Sequence, residues 1–238
     1  MEQKNRYSLN PTPNQTFEIV GRGEYDFTAI LRHSYELQEQ KNDIEAACNE
    51  RFHAFQRIVE LIPEDEEITL EWEHANTRSA LELIYASAVD HFLINDFEMA
   101  AGMFEMLLDL DPEDHTGCIT TLAFCYVAME EYELFDEISN DISDKSPEKH
   151  LLLMWLEFRR TGKISDGEFR LLSSKHRVFF DEFCATEHPV DEDYLKGLDA
   201  DSPTRQAQAR LLWLQTENLW SLHHDFIAAL RKKQQQQT

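Results

Sequence analysis

The ten histidines are the first candidates for chemistry, because imidazole groups bind metals and transfer protons near neutral pH. No two of them stand four residues apart with a glutamate between, as a metalloprotease helix requires. The densest cluster is His223-His224-Asp225. Adjacent residues on a helix point about 100° apart, so these two rings cannot share one metal ion without further ligands. We interpret the cluster as part of a helix surface and predict no metal site.

Other reactive groups also lack a catalytic arrangement. Gly21-Arg22-Gly23 lacks the further glycine, the preceding apolar strand and the lysine of a phosphate-binding loop. No glycine-flanked serine of the hydrolase kind is present. The many carboxylates fall on predicted solvated helices, where nothing perturbs their acidity. We therefore predict a protein that is not an enzyme and needs no cofactor; an enzyme is the weakest hypothesis.

The cysteines indicate a compartment. Cys48, Cys118, Cys125 and Cys184 form no close pair of the metal-binding or redox kind. Cys118 and Cys125 lie seven residues apart on one stripe of a predicted helix, a spacing typical of buried core rather than of a disulfide. Unpaired cysteines are typical of reducing compartments, so we predict a cytoplasmic protein.

The charge is strongly negative and unevenly distributed. The formal net charge is −24, and residues 61–150 hold 23 acidic residues against three basic ones. Such a field repels nucleic acid and anionic lipid. No segment has the roughly 20 apolar residues of a membrane span, and the N-terminus lacks the apolar core of a secretory signal. Two interpretations stay open: a well-hydrated helical surface, or an electrostatic lure for a basic partner.

Much of the pattern in residues 84–112 returns 35 residues later in the chain. The matched pairs are Ala88 and Ala123, His91 and Tyr126, Phe97 and Tyr132, Leu107 and Ile142, and Pro112 and Pro147. A fixed-period echo is the sequence signature of stacked repeats. Each unit is predicted to be two helices, with a small residue where the helices approach and a proline after the second helix.

The segment LINDFEMAAGMFEMLLDLDPED resembles the second half of a tetratricopeptide repeat. The family positions matched in residues 81–114 are Ala88, Phe97, Ala100, Phe104 and Pro112. The family's tyrosine is replaced by His91, which we interpret as a half-buried packing residue. The resemblance implies antiparallel helix pairs stacked into a superhelix that binds other proteins.

A second, degenerate repeat covers residues 116–149. Leu122, Ala123, Tyr126, Tyr132 and Pro147 match the family pattern. Phe135 stands where the family has a small residue, and Ser139 where it has an aromatic one. These departures predict different packing between the two helices of this unit.

The scarcity of glycine and proline, seven of each, predicts an all-α protein. We expect antiparallel helical hairpins of a tetratricopeptide-like α-solenoid type with extra flanking helices, eight to ten helices in all. Residues 1–23 are polar and predicted to be a flexible arm. Residues 24–238 are predicted to form a single helical domain with its repeat core at 81–149. Early helices are predicted over 25–40, 43–62 (with Asn42 as N-cap) and 68–94.

The last predicted helix, 203–231, carries a broad apolar seam. Trp213, Trp220 and Ile227 recur every seven residues, beside Leu212, Leu219 and Phe226. A face this apolar is too costly to leave in water. We predict that both tryptophans are largely buried, against the preceding helices or against a second copy of the chain; the latter would make a homodimer.

The resemblance also implies a binding groove, lined by first-helix positions on either side of the packing residues. The implied positions are Glu82, Tyr85, Val89 and Phe92, then Gly117, Thr120, Phe124 and Val127. None is a lysine, arginine or asparagine, so capture of a partner's terminal carboxylate is not expected. We predict a protein–protein interaction module for a basic or amphipathic partner protein or peptide. In the alternative, the chain's own last helix fills the groove, and the compact protein is an acidic decoy or regulator of a basic partner.

Overall fold

A computed structural model describes residues 6–63 and 65–236, and this part of the chain is mainly helical. Its twelve α-helices are α1 (Phe27–Tyr35), α2 (Ile44–Leu61), α3 (Ala75–Leu93), α4 (Phe97–Leu110), α5 (Ile119–Met129), α6 (Tyr132–Ile138), α7 (Pro147–Thr161), α8 (Asp166–Lys175), α9 (Arg177–Cys184), α10 (Glu192–Leu198), α11 (Arg205–Leu222) and α12 (His224–Gln235). The all-α prediction is confirmed. The number of helices exceeds the predicted eight to ten, partly because the predicted helix 203–231 is divided into α11 and α12.

The described part of the predicted flexible arm is a β-hairpin, and here the structure differs from the expectation. Strands β1 (Tyr7–Pro11) and β2 (Phe17–Gly21) pair antiparallel. Ile19 is fully buried; its N–H donates to Thr77 Oγ1 at 2.8 Å, and its carbonyl accepts from Asn76 Nδ2 at 2.9 Å. Two side chains of α3 therefore form hydrogen bonds with the backbone N–H and carbonyl of Ile19 in the hairpin. Residues 1–5 lie outside the described residues.

Two early helix boundaries also differ from the predictions. The N-cap of α2 is Asp43, whose carboxylate accepts from the Ala46 N–H, whereas Asn42 adopts φ 52°. The predicted helix 68–94 begins only at Ala75. Ahead of it, the Leu70 N–H donates to the Leu110 carbonyl at 2.8 Å. This hydrogen bond joins two residues that are far apart in sequence, and it keeps the segment before α3 extended.

Helices α3 and α4 form the first hairpin of the predicted repeat core. Phe92 faces Phe97 across the turn with ring centroids 5.7 Å apart, and Tyr85 faces Phe104 at 6.0 Å. Pairing that runs inward from the turn in this way defines an antiparallel pair. Ala88 is fully buried, as a close helix approach requires. Ala100 on α4 is buried as well, and His91 packs on Phe52 at 5.6 Å. Two residues separate α5 from α6, a connection length typical of antiparallel neighbouring helices.

The tryptophan seam of the last predicted helix is buried against α7 and α9. Trp213 is 6% exposed and Trp220 2% exposed, so the prediction of burial is confirmed. Trp220 meets Trp155 of α7 edge-on at 5.1 Å, and Trp213 meets Phe183 of α9 at 5.2 Å. The single predicted helix 203–231 breaks at His223, where α12 begins and brings further apolar side chains against α9.

The chain divides into two compact units. The first unit contains the residues up to Phe92 together with Asp96–Cys125. The second contains Leu93–Asn95 and the residues from Tyr126 onward. A division into compact units does not show that either folds alone, so the single-domain prediction stays a prediction. Among the described residues, no helix combines the length and apolar character that crossing a membrane requires.

Candidate functional site

The predicted groove residues do not all reach the surface. Phe92 is 3% exposed, Phe124 2% and Val127 0%, so these three are core residues and cannot line a binding surface. This corrects the prediction for them: local spacing places a residue on a helix face but does not say what covers that face. The other predicted positions, Glu82, Tyr85, Val89 and Thr120, are half-buried and retain some exposure, and Gly117 is exposed.

Two of the half-buried positions lie beside a groove of the first unit, which we call the tyrosine groove. It runs along α1 and the π-helical turn Glu36–Gln40 that extends α1, and it has a volume of about 460 Å³. Its lining residues are Thr28, Leu31, Arg32, Tyr35, Glu36, Glu39, Gln40 and Ser79. Ser79 comes from α3, one turn before Glu82. Glu82 and Tyr85 are both close enough to Tyr35 to interact with it electrostatically.

A buried ion pair supports the groove from beneath. Arg51 of α2, whose side chain is 3% exposed, donates from Nε to Asp90 Oδ2 at 2.7 Å and from Nη2 to Asp90 Oδ1 at 2.9 Å. Its Nη1 donates to Gln38 Oε1 of the π-helical turn at 2.9 Å. The arrangement ties α2, α3 and the turn together. Asp90 compensates the charge of Arg51 locally, although Arg51 still acts on Tyr35 electrostatically.

The groove is negative and has two phenol groups. Glu36, Glu39 and Glu82 supply carboxylates. Among its lining residues the one cation is Arg32, an exposed side chain 3.9 Å from Glu36, where an ion pair contributes little. Burial raises the pKa of Tyr35, and Glu82 and Glu39 raise it further while Arg51 lowers it. Tyr35 and Tyr85 are therefore neutral at physiological pH, and each presents a hydroxyl and an aromatic face.

This combination suits a cationic, partly apolar ligand. Tyrosine is enriched at protein interfaces because it offers a large apolar ring and a hydrogen-bonding tip at small entropic cost. Lysine and arginine interact favourably with aromatic faces and with carboxylates. Tyr35 is 43% exposed and lines the groove together with Glu36 and with Ser79 of α3, so its ring is available to such a side chain.

Histidines and cysteines do not assemble a second kind of site. Among the described residues, no three His, Cys, Asp or Glu side chains are grouped closely enough to hold a metal ion. His223 lies between α11 and α12 with its ring 5.1 Å from Trp155, so it is half-buried rather than on a helix surface, while His224 is exposed. Cys118 and Cys125 are free and buried, as predicted for core residues.

No family model matches the chain, and comparisons with curated proteins and with solved structures give no match either. The tetratricopeptide resemblance therefore rests on the residues that carry it and stays a prediction. The α3–α4 hairpin is compatible with that family and with other helical hairpins.

Sequence analysis did not identify Tyr35 or the π-helical turn. Residues 25–40 are an ordinary helical pattern in the sequence, and a π-helical turn has no periodic signature of its own. The one usable signal is an aromatic residue among charged ones in RHSYELQEQ. That signal does not show that α3 lies alongside, and the groove exists only because it does.

Proposed function

We propose that this protein is a non-catalytic interaction module, and that its tyrosine groove binds a basic or amphipathic segment of a partner protein. The single observation that carries the proposal is that a 43%-exposed Tyr35 lines the groove together with the carboxylates of Glu36 and Glu39. The tetratricopeptide-like stacking of hairpins is part of the same proposal. The four free cysteines support a reducing, cytoplasmic location.

The two alternatives fit the observations less well. A last helix that fills the groove would need its apolar seam free, but Trp213 and Trp220 pack on α9 and α7 in the second unit. An acidic decoy needs no groove, and its binding depends on charge alone. Binding through tyrosines has a component that salt does not screen, so retention of a partner at high salt separates the proposed module from the decoy.

Site-specific photo-cross-linking tests the proposal. A photoreactive phenylalanine analogue replaces Tyr35 in the full chain, and a matched variant carries it at Tyr7, which is similarly exposed at 38% but lies on the β-hairpin. We expect a discrete cross-linked protein from Tyr35 and not from Tyr7. The cross-linked peptide of the partner should contain lysine or arginine next to apolar residues.

Affinity measurements with the identified segment complete the test. Tyr35→Ala should weaken binding by about tenfold or more, as loss of an aromatic anchor typically does. Tyr7→Ala should leave the affinity within about twofold. Equal cross-linking from both positions, or unchanged affinity of Tyr35→Ala, contradicts the proposed groove. A small ligand that raises the melting temperature would instead favour an enzyme.

A further inference from the structure

A second surface of the first unit combines an apolar floor with a negative rim. It is a depression of about 660 Å³ between the loop that follows α2 and the last turns of α4, and we call it the methionine depression. Its lining residues are Ile62, Glu66, Glu67, Ile68, Thr69, Met106, Leu108, Asp109, Leu110 and Pro112. None of them belongs to the tyrosine groove, so the two surfaces are separate.

The floor leaves apolar side chains partly in water. Ile68 and Leu110 are buried, whereas Ile62, Met106 and Leu108 are half-buried. Methionine is unbranched and polarisable, so a surface that contains it adapts to partners of different shape. The apolar character continues along both helices that border the depression. Its extensions are Val59 on α2, 43% exposed, and Met99 on α4, 42% exposed and seven residues before Met106.

The rim is negative and lacks compensation. Glu66, Glu67 and Asp109 are exposed, and the described residues provide no ion-pair partner for them. Helices α2 and α4 both end beside the depression, at Leu61 and Leu110, and neither has a basic residue in its last turn. The C-terminal end of a helix carries a partial negative charge that favours cations. Two such ends and three carboxylates therefore add to one negative potential.

Basic residues near the depression in sequence are few, and Arg57 of α2 donates to the Glu24 carbonyl at 3.3 Å. No lysine or arginine occurs between Arg78 and Lys145 in the sequence. Of the basic run in the last helix, Lys233 already pairs with Asp166 and donates to the Ile164 carbonyl. A second copy of a chain with net charge −24 would be repelled from this rim.

We propose that the methionine depression binds an amphipathic segment of a partner protein, with apolar side chains on the floor and lysines or arginines against the rim. Helix-in-groove recognition has this form. The site is additional to the tyrosine groove, so a protein with both surfaces can hold two segments at once, from one partner or from two.

The methionine methyl groups give a local test in the full chain. The probe is a synthetic 18-residue peptide of leucine and lysine, ordered so that a helix has one apolar and one cationic face. Protein with ¹³C-labelled methionine methyl groups is titrated with this peptide and followed by NMR. We expect a saturable shift of the Met106 resonance, and no shift of Met154, which is fully buried in α7. The same peptide with glutamate in place of lysine should leave Met106 unshifted.

Two charge-matched variants separate a specific rim from general attraction. Glu66→Lys/Glu67→Lys reverses the rim, whereas Glu131→Lys/Glu133→Lys makes the same charge change at exposed positions around the start of α6. Affinity is measured from the Met106 shift, so it reports this depression even if the peptide also occupies the tyrosine groove. We expect the rim variant to bind at least about tenfold more weakly and the control to change less than about twofold.

Three outcomes would overturn the proposal. Met106 does not shift in a saturable way, the two variants lose affinity equally, or the protein sediments as a dimer that Glu66→Lys/Glu67→Lys dissociates. The last outcome would make a second copy the occupant. The titration of the Met106 and Met154 resonances uses the unmodified sequence, so it tests the proposal even if the rim variant fails to fold.

Discussion

Removal of Asp90 should destabilise the first unit strongly, because it leaves a buried guanidinium without its counter-ion. The side chain of Arg51 is 3% exposed and that of Asp90 17% exposed, and two charge-assisted hydrogen bonds of 2.7 and 2.9 Å join them. Breaking a buried ion pair by removing one partner typically costs about 3–5 kcal/mol. Water reaches the partly exposed Asp90, and Gln38 retains its hydrogen bond to Arg51. We therefore expect about 3 kcal/mol for Asp90→Ala, the lower end of that range.

A double variant separates the charge effect from a packing effect. In Arg51→Met/Asp90→Ala no charge is left unpaired, and an apolar chain of similar length fills the place of Arg51. Replacement of a buried pair by apolar residues is often neutral or stabilising. The double variant should therefore be more stable than Asp90→Ala alone. As a control, Asp181→Ala breaks the Arg177–Asp181 pair, whose side chains are 66% and 48% exposed, and should cost less than about 1 kcal/mol.

Urea unfolding at pH 7, followed by circular dichroism, gives these free energies from the midpoint and the slope of each transition. A cost below about 1 kcal/mol for Asp90→Ala would show that the pair behaves as an exposed one. A double variant less stable than Asp90→Ala would show that packing rather than an unpaired charge accounts for the loss.

Three further predictions concern packing and pH. Ala88→Leu should cost about 1–3 kcal/mol in urea unfolding by overpacking the fully buried surroundings of Ala88, and a loss near zero in a folded variant would contradict close packing there. Trp220→Ala should cost about 3–5 kcal/mol, because the indole is 2% exposed; a folded variant with unchanged stability would show that α11 is not part of the core. Burial, and then His150 at 5.3 Å between ring centroids, lowers the pKa of His176. The native state therefore binds fewer protons at His176 than the unfolded state does. The contribution of neutral His176 to the free energy of unfolding is complete above about pH 6.5 and decreases as the pH falls below it. His176→Gln should flatten the dependence of the urea midpoint between about pH 7.5 and 5; an unchanged slope would refute the assignment.

Composition and periodicity were sufficient to predict the class of fold and the strongest local features of the chain. Sparse glycine and proline, with apolar residues at intervals of three and four, left helices as the regular structure for most of the chain. Ala88 recurs as Ala123 in the repeat pattern, which predicts a small residue at a helix contact, and Ala88 is fully buried. The seam of Trp213 and Trp220 is too large to remain in water, so its burial was also determined locally.

The candidate site was determined only in part. The family resemblance implied that Glu82 and Tyr85 line a groove, and both lie beside the tyrosine groove. The sequence could not place Phe124 or Val127 in the core, because an apolar residue on a helix face can be covered by another element or open to a partner. It also could not find Tyr35, which is 44 residues from Ser79 on the helix that completes the groove.

Tertiary structure decided the features whose partners are distant in the chain. Ile19 is in a strand because Thr77 Oγ1 accepts from its N–H and Asn76 Nδ2 donates to its carbonyl, although the surrounding segment is polar and contains prolines. The segment before α3 is extended because the Leu110 carbonyl binds Leu70. Backbone groups need partners, and a local pattern shows which groups need them without showing where the partners lie. Only the folded chain brings those partners together, and the two binding surfaces proposed here are made in the same way.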